Sequence, residues 1–116
     1  MHLDQRLVGD VVIVAVNGDI TLNHRSDVML KDKVRTLLDE GRRKIVLDLG
    51  GVVYVDSAGL GELVRAYATA KNKGGGLKLA RLPKRIKDLL TITKLATVFE
   101  CYDRDVEAID SFSAAV

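Results

Sequence analysis

The sequence predicts a single α/β domain whose later strands are largely parallel. Short apolar runs rich in β-branched residues, such as VVIVAV at residues 11–16, alternate with stretches whose apolar residues recur at helical spacing. Strands that alternate with helices along one short chain are typical of a parallel sheet. We therefore expect one domain over residues 1–116, with a mixed, largely parallel sheet of about four to five strands and about four helices.

In the first half of the chain, a β-hairpin is predicted before a helix and a buried strand. Gly9-Asp10 could turn the first strand into the second, and Asn17-Gly18 closes the second strand with a turn sequence. The first helix ends before Gly41, where a left-handed cap is needed. The run KIVLDL that follows is compact and apolar, as in a strand covered on both faces. These elements are predicted at residues 3–8, 11–16, 26–40 and 44–49.

In the second half, three helices alternate with two further strands. The second helix has apolar residues at helical spacing and stops before Gly74-Gly75-Gly76. Pro83 suits the first position of the third helix, because its missing N–H would have no partner there. The helices are predicted at residues 60–72, 83–90 and 106–112, and the strands at residues 77–80 and 98–101.

The composition indicates a soluble globular protein, with 47% hydrophobic and 29% charged residues. The single cysteine, Cys101, excludes an intramolecular disulfide and a thiolate-rich zinc site. No stretch approaches the ~20 apolar residues that span a bilayer, so no membrane insertion is expected. The N-terminus lacks the basic region and apolar core of a signal peptide, and we therefore expect a cytoplasmic protein.

Charge is distributed unevenly along the chain, although the net charge is only +2. Residues 71–94 carry eight basic side chains and one acidic one. This stretch could face an acidic partner, or it could simply form the solvated faces of two helices. It contains no aromatic residue on which a nucleic acid base could stack, so no direct binding of nucleic acid is predicted.

The most unusual local feature is the run YVDSAGLG at residues 54–61, which follows the KIVLDL strand and opens the second helix. Either Asp56 or Ser57 could supply the N-cap oxygen. Gly59 and Gly61 lie in the first turn, where each glycine lowers helix stability by up to ~1 kcal/mol. Close approach of a partner, a ligand or a neighbouring strand would account for them.

This run does not contain a complete motif of any of the enzyme or cofactor-binding classes considered. A dinucleotide fingerprint would need glycine where Val64 stands, and a hydrolase elbow would need glycine at Val55. A P-loop ending is absent, and no cluster has the spacing of metal ligands. The two histidines, His2 near the terminus and His24 in the loop before the first helix, are expected to be solvated rather than to act as bases. We therefore expect no catalytic residue, cofactor or metal.

Covalent regulation of Ser57 is the remaining functional hypothesis. A phosphate at a helix N-terminus meets free backbone amides and the positive end of the helix dipole. It would add about −1.5 to −2 charge beside Asp56, which could switch binding to a partner without unfolding the domain. The alternative is that Ser57 is only a cap and Asp56 only a loop carboxylate.

Taken together, these segments of the sequence resemble those of the STAS-domain anti-sigma factor antagonists of bacteria. The resemblance covers essentially the whole chain, in order and at the spacing of that family. Its most specific part is the Asp-Ser-Ala-Gly-Leu-Gly run after an apolar strand. The matching segments are residues 17–20 (NGDI), 44–49 (KIVLDL), 55–61 (VDSAGLG), 74–79 (GGGLKL) and 89–95 (LLTITKL).

The resemblance implies a partner-switching module that is a ligand and a substrate, not an enzyme. In such families the unmodified antagonist binds an anti-sigma factor that is also a serine kinase, and this releases the sigma factor. The kinase phosphorylates the serine matched here by Ser57, binding is lost, and a serine phosphatase restores it. The residues implied to form the partner-binding surface are Asp19, Thr21, Asp56, Ala58, Gly59, Leu60 and Gly61.

The chain departs from the family pattern at three places. Ala58 stands where many relatives carry a second hydroxyl residue, and Gly18-Asp19-Ile20-Thr21 replaces the usual Gly-Glu-Leu-Asp turn. Lys94 stands where relatives often have glycine. The first two departures leave an alternative function open: a constitutive STAS scaffold in a signalling assembly or a lipid-transport complex, which is never phosphorylated.

Overall fold

The computed structural model describes residues 2–21 and 26–113, and all nine predicted elements are present in it. The predicted His24 lies outside the described residues. The strands are β1 (His2–Val8), β2 (Val11–Ile20), β3 (Lys44–Val55), β4 (Gly76–Ala80) and β5 (Cys101–Tyr102). The helices are α1 (Ser26–Asp39), α2 (Ser57–Asn72), α3 (Lys84–Ile92) and α4 (Asp105–Ser113), with a short 3-10 helix at Leu95–Thr97.

The five strands form one sheet in the order β1-β2-β3-β4-β5. Strands β1 and β2 are antiparallel, and each later pair of neighbours is parallel, so the predicted mixed, largely parallel sheet is confirmed. Helices α1, α2 and α3 pack on one face of the sheet and α4 packs on the other. Each large aliphatic side chain buried in these layers contributes about 1.5–3 kcal/mol. This packing holds the N-terminus of α2 at the carboxyl end of the sheet.

Strand β2 is longer than predicted, because Asn17-Gly18 does not form a turn. The pairing of β2 with β3 shifts register between Ala15 and Asn17 and again between Gly18 and Asp19. A side chain at Gly51 would lie 1.9 Å from Asn17 Oδ1, so the glycine in β3 makes room for the irregular segment. At each shift the extra residue lies in β3, so β3 bulges beside Asn17-Gly18, and β2 passes through these two residues without reversing, with Gly18 at φ +96°. As a result β2 continues to Ile20.

The last strand was also predicted too early, at residues 98–101. Residues 98–100 instead complete the turn that the 3-10 helix at Leu95–Thr97 begins, and the strand is reduced to Cys101 and Tyr102. Lys94 precedes this turn with φ +64°, in the left-handed region. Glycine adopts that conformation without strain, whereas lysine does so at a cost in backbone energy.

Candidate functional site

The site forms where β2 and β3 end side by side and α2 begins. Ile20 pairs with Val55, and the N–H of Asp56 donates to the carbonyl oxygen of Ile20 at 3.4 Å. Asp19, one residue earlier in β2, lies opposite Tyr54. The structure thus brings the end of β2 next to the start of α2, as the proposed binding surface requires.

Asp56, and not Ser57, caps helix α2. Its backbone is extended (φ −93°, ψ −178°), and its Oδ1 accepts a hydrogen bond from the N–H of Gly59 at 2.7 Å. Ser57 follows as the first helical residue and is exposed. Among the described residues the Ser57 hydroxyl has no hydrogen-bond partner. The Ser57 hydroxyl therefore takes no part in capping the helix. It remains accessible from solvent for covalent modification.

The two glycines of the first turn have different surroundings. A Cβ built on Gly59 would lie 1.8 Å from the carbonyl oxygen of Ile20, so close approach of β2 requires this glycine. Gly59 is buried against β2, so the fold accounts for this glycine, and its place on the partner-binding surface stays a prediction. A Cβ on Gly61 would come no closer than 3.5 Å to the Arg65 guanidinium, an ordinary contact, and Gly61 is partly exposed. The fold gives no reason for Gly61.

The other residues of the predicted surface are exposed to different degrees. Asp19, Asp56 and Ala58 are half-buried, whereas Thr21 is 7% exposed and Leu60 is 8% exposed. Thr21 and Leu60 can therefore support such a surface but offer little of their own area to it.

A largely apolar groove of about 590 Å³ opens beside Ser57, between the first turns of α2 and the end of α3. Tyr54, 48% exposed, lies on its wall. A second groove of about 350 Å³ continues along α3 and shares Tyr54, Val55 and Leu89 with the first. The residues of the first groove are Tyr54, Val55, Asp56, Ser57, Leu60, Gly61, Val64, Leu89, Thr93 and Leu95. Sequence reasoning missed the contribution of α3, because only the fold places it beside α2.

The basic stretch at residues 71–94 is largely engaged within the domain. Six of its eight basic side chains contact an acidic residue or an aromatic ring. Lys78, for example, is 9% exposed and lies 4.3 Å from the centre of the Phe112 ring. Arg85 lies at the second groove. Most of the basic side chains in this stretch therefore make contacts within the domain. Only a few of them contribute positive charge near the site.

A buried glutamate that sequence reasoning missed connects α2 to α1. Glu62 is completely buried, and its Oε1 accepts a hydrogen bond from the backbone N–H of Lys31 at 2.8 Å. The Arg65 Nε lies 3.5 Å from the other carboxylate oxygen. The sequence signal that could have identified Glu62 is the presence of a charged residue within the apolar stripe of α2. By holding α1, Glu62 fixes the helix that carries Ser57.

We expect Glu62→Ala to destabilise the domain by about 1–3 kcal/mol, because the N–H of Lys31 would lose its buried acceptor. Glu62→Gln is the matched control, since its amide oxygen can still accept this hydrogen bond and its loss should be smaller. Urea denaturation of the three proteins measures the difference. Equal stabilities for Glu62→Ala and the parent would show that this contact contributes nothing.

Within the described residues, no group of three or more His, Cys, Asp and Glu side chains could hold a metal ion. Over the same part of the chain, no helix combines the length and the apolar character needed to cross a bilayer. What the site does offer is an exposed hydroxyl, a helix N-terminus and an apolar groove. This arrangement suits recognition by another protein.

Comparison with known proteins identifies the family. The sequence profile described as "Mlab, STAS domain" matches residues 3–100, and the chain belongs to the STAS-domain family. The anti-sigma-B factor antagonist of Bacillus subtilis is 35% identical over 100 residues, which cover 86% of this chain and 89% of that protein.

Solved structures agree with the fold. A crystal structure named "putative anti-sigma factor antagonist" from Thermotoga maritima has a TM-score of 0.83 and 27% identity, covering 94% of this chain and 92% of that one. The structure of the Bacillus cell fate determinant SpoIIAA in its phosphorylated form has a TM-score of 0.71 and 17% identity. The match covers 96% of this chain and 99% of that one. The recognised resemblance and the fold class are therefore both confirmed.

Proposed function

We propose that this chain is an anti-sigma factor antagonist: it binds an anti-sigma factor and thereby frees the sigma factor held by that protein. The observation that carries the proposal is the exposed Ser57 at the start of α2, directly beside an apolar groove, in a chain of this family. The protein acts as a binding partner rather than as an enzyme.

The groove is the docking site, and an apolar segment of the anti-sigma factor occupies it. Its walls include Tyr54, Val64 and Leu89, which offer apolar area that a partner would remove from water. Gly61 lets the partner backbone approach the first turn of α2, because no side chain stands in the way. These two features make the surface around Ser57 sensitive to any added group.

Phosphorylation of Ser57 switches the interaction off. The phosphate adds about −1.5 to −2 charge at the groove, next to Asp56, and a docked apolar segment cannot solvate it. The folded domain tolerates the phosphate, because the N-terminus of α2 favours an anion and the cap is made by Asp56. SpoIIAA, which shares the fold, has been solved in a phosphorylated form.

The anti-sigma factor is itself the serine kinase, and it supplies the ATP. The terminal phosphoryl group moves from ATP to Ser57 Oγ: the new P–O bond forms, the bond to the β-phosphate oxygen breaks so that ADP leaves, and the hydroxyl proton is released. A serine phosphatase hydrolyses the phosphate and restores binding. This chain contributes the acceptor hydroxyl and the docking surface only, without a cofactor, and acts in the cytoplasm.

Titration of the purified protein into a complex of the anti-sigma factor with its sigma factor tests the proposal. We expect displacement of the sigma factor. Tyr54→Ala should weaken binding of the anti-sigma factor by about tenfold or more, since Tyr54 contributes to both grooves. Val53→Ala is the matched control, because Val53 is 70% exposed but lies outside both grooves. Failure to bind any anti-sigma factor encoded in the same genome would refute the function.

A second candidate, a constitutive STAS scaffold, is supported by Ala58 and Thr21, where the chain departs from the antagonist pattern. Two observations together would favour the scaffold function over the phosphorylation switch: stable co-purification with a complex that lacks a kinase, and no phosphate on Ser57 in cells.

A further inference from the structure

Strand β1 leaves one edge of the sheet unpaired, at a distance from the α2 site. Among the described residues, its only strand neighbour is β2. All seven residues, His2–Val8, pair with β2 without a register shift, and six of them are exposed. The strand contains neither proline nor lysine, two of the devices that commonly protect edges. The outer side of β1 can therefore accept another strand.

The hairpin determines which backbone groups face outward. Its loop has only two residues, with Gly9 at φ +62°, so Val8 and Val11 form a hydrogen-bonded pair across the turn. Hydrogen-bonded and non-hydrogen-bonded pairs alternate along an antiparallel ladder. The N–H and C=O groups of Leu3, Gln5 and Leu7 therefore point away from β2.

We propose that two copies of this chain associate by antiparallel pairing of their β1 strands about a twofold axis at Gln5. This register joins the outward backbone groups of both copies, because Gln5 faces Gln5 and Leu3 faces Leu7 of the second copy. Asp4 then faces Arg6 of the second copy in a non-hydrogen-bonded pair, where side chains approach most closely. The two sheets become one of ten strands.

Charge excludes the neighbouring symmetric registers. An axis at Asp4 would place two aspartates opposite each other, and an axis at Arg6 would place two arginines opposite each other. Asp4 and Arg6 are 67% and 60% exposed, so both are accessible to a second copy. Arg6 donates to Asp105 at 3.0 Å, and its guanidinium has further N–H groups for Asp4.

The apolar residues of β1 agree with the same register. Leu3 packs against the main core, whereas Leu7, which projects from the same face of the sheet, is 51% exposed. In the dimer, Leu3 of the second copy covers Leu7 and extends the core across the axis. The contact area is small, so we expect a weak, concentration-dependent dimer. This inference does not depend on the proposed function.

Sedimentation equilibrium from about 1 μM to about 1 mM tests the dimer. We expect the parent to dimerise, and Gln5→Pro to remain a monomer at concentrations where the parent is dimeric, because proline removes the outward N–H at the axis. Gln5→Thr keeps that N–H and is the matched control, which should dimerise. A parent that stays monomeric, or a Gln5→Pro protein that dimerises as well as the parent, would overturn the proposal.

Amide hydrogen exchange of the unaltered protein tests the register without relying on any variant. We expect the amides of Leu3, Gln5 and Leu7 to become more protected as the concentration rises. The amides of Asp4 and Arg6 already bond to β2 and should change little. Exchange at Leu3, Gln5 and Leu7 that does not depend on concentration would refute the pairing.

Discussion

Ser57→Ala is expected to abolish phosphate incorporation when the protein is incubated with its anti-sigma factor kinase, ATP and magnesium. The reason is that Ser57 presents an exposed hydroxyl at the docking groove without an internal hydrogen bond, whereas Thr93, which is also exposed there, donates its hydroxyl to the carbonyl oxygen of Leu89 at 2.8 Å. Intact-mass measurement should show one added phosphate on the parent and none on the variant. Ser113→Ala, a change of an exposed serine at the end of α4, is the matched control and should be modified like the parent.

Ser57→Asp should lower the affinity for the anti-sigma factor by about tenfold or more, because it places a charge at the groove. The unfolding free energy should stay close to that of the parent, since Asp56 still caps α2. Calorimetric titration measures the first quantity and urea denaturation the second. Undiminished phosphorylation of Ser57→Ala would disprove the acceptor assignment, and undiminished binding of Ser57→Asp would disprove the switch.

Gly59→Ala should destabilise the domain by about 3 kcal/mol, the largest stability change expected in the first turn of α2. The added methyl group would lie 1.8 Å from the carbonyl oxygen of Ile20, and a backbone atom within the sheet cannot move aside easily. Either β2 or the start of α2 must shift. Urea denaturation should show a lower midpoint, with partner binding reduced only through loss of folded protein.

Gly61→Ala is the matched control within the same turn. Its methyl group meets only ordinary contacts, so the stability should be unchanged or rise by up to about 1 kcal/mol through better helix propensity. Gly61→Gln should fold normally and bind the anti-sigma factor more weakly, because its side chain would project into the groove. Equal effects of Gly59→Ala and Gly61→Ala on stability would contradict the different environments assigned to the two glycines.

Local sequence signals predicted most of the fold. The apolar spacing located α2 and its end at Asn72, and Gly41 adopts the left-handed conformation expected after α1, with φ +88°. One misread segment was Asn17-Gly18, whose turn residues are compatible both with a chain reversal and with a strand that continues beside a bulge in its neighbour. The outcome depended on Gly51, which lies in β3 and makes room for Asn17. No reading of residues 11–20 alone could include that contact.

The class of domain, the family resemblance and the unusual segment at residues 54–61 were all predictable from the amino-acid sequence, because they follow from the order and spacing of residues. The packed structure was needed to show that Asp56 caps α2, that the fold requires Gly59 and that it does not require Gly61. It also placed α3 beside Ser57 to form the groove. Sequence patterns could not supply these properties, because they depend on atoms that are distant along the chain and meet only when helices and sheet have packed.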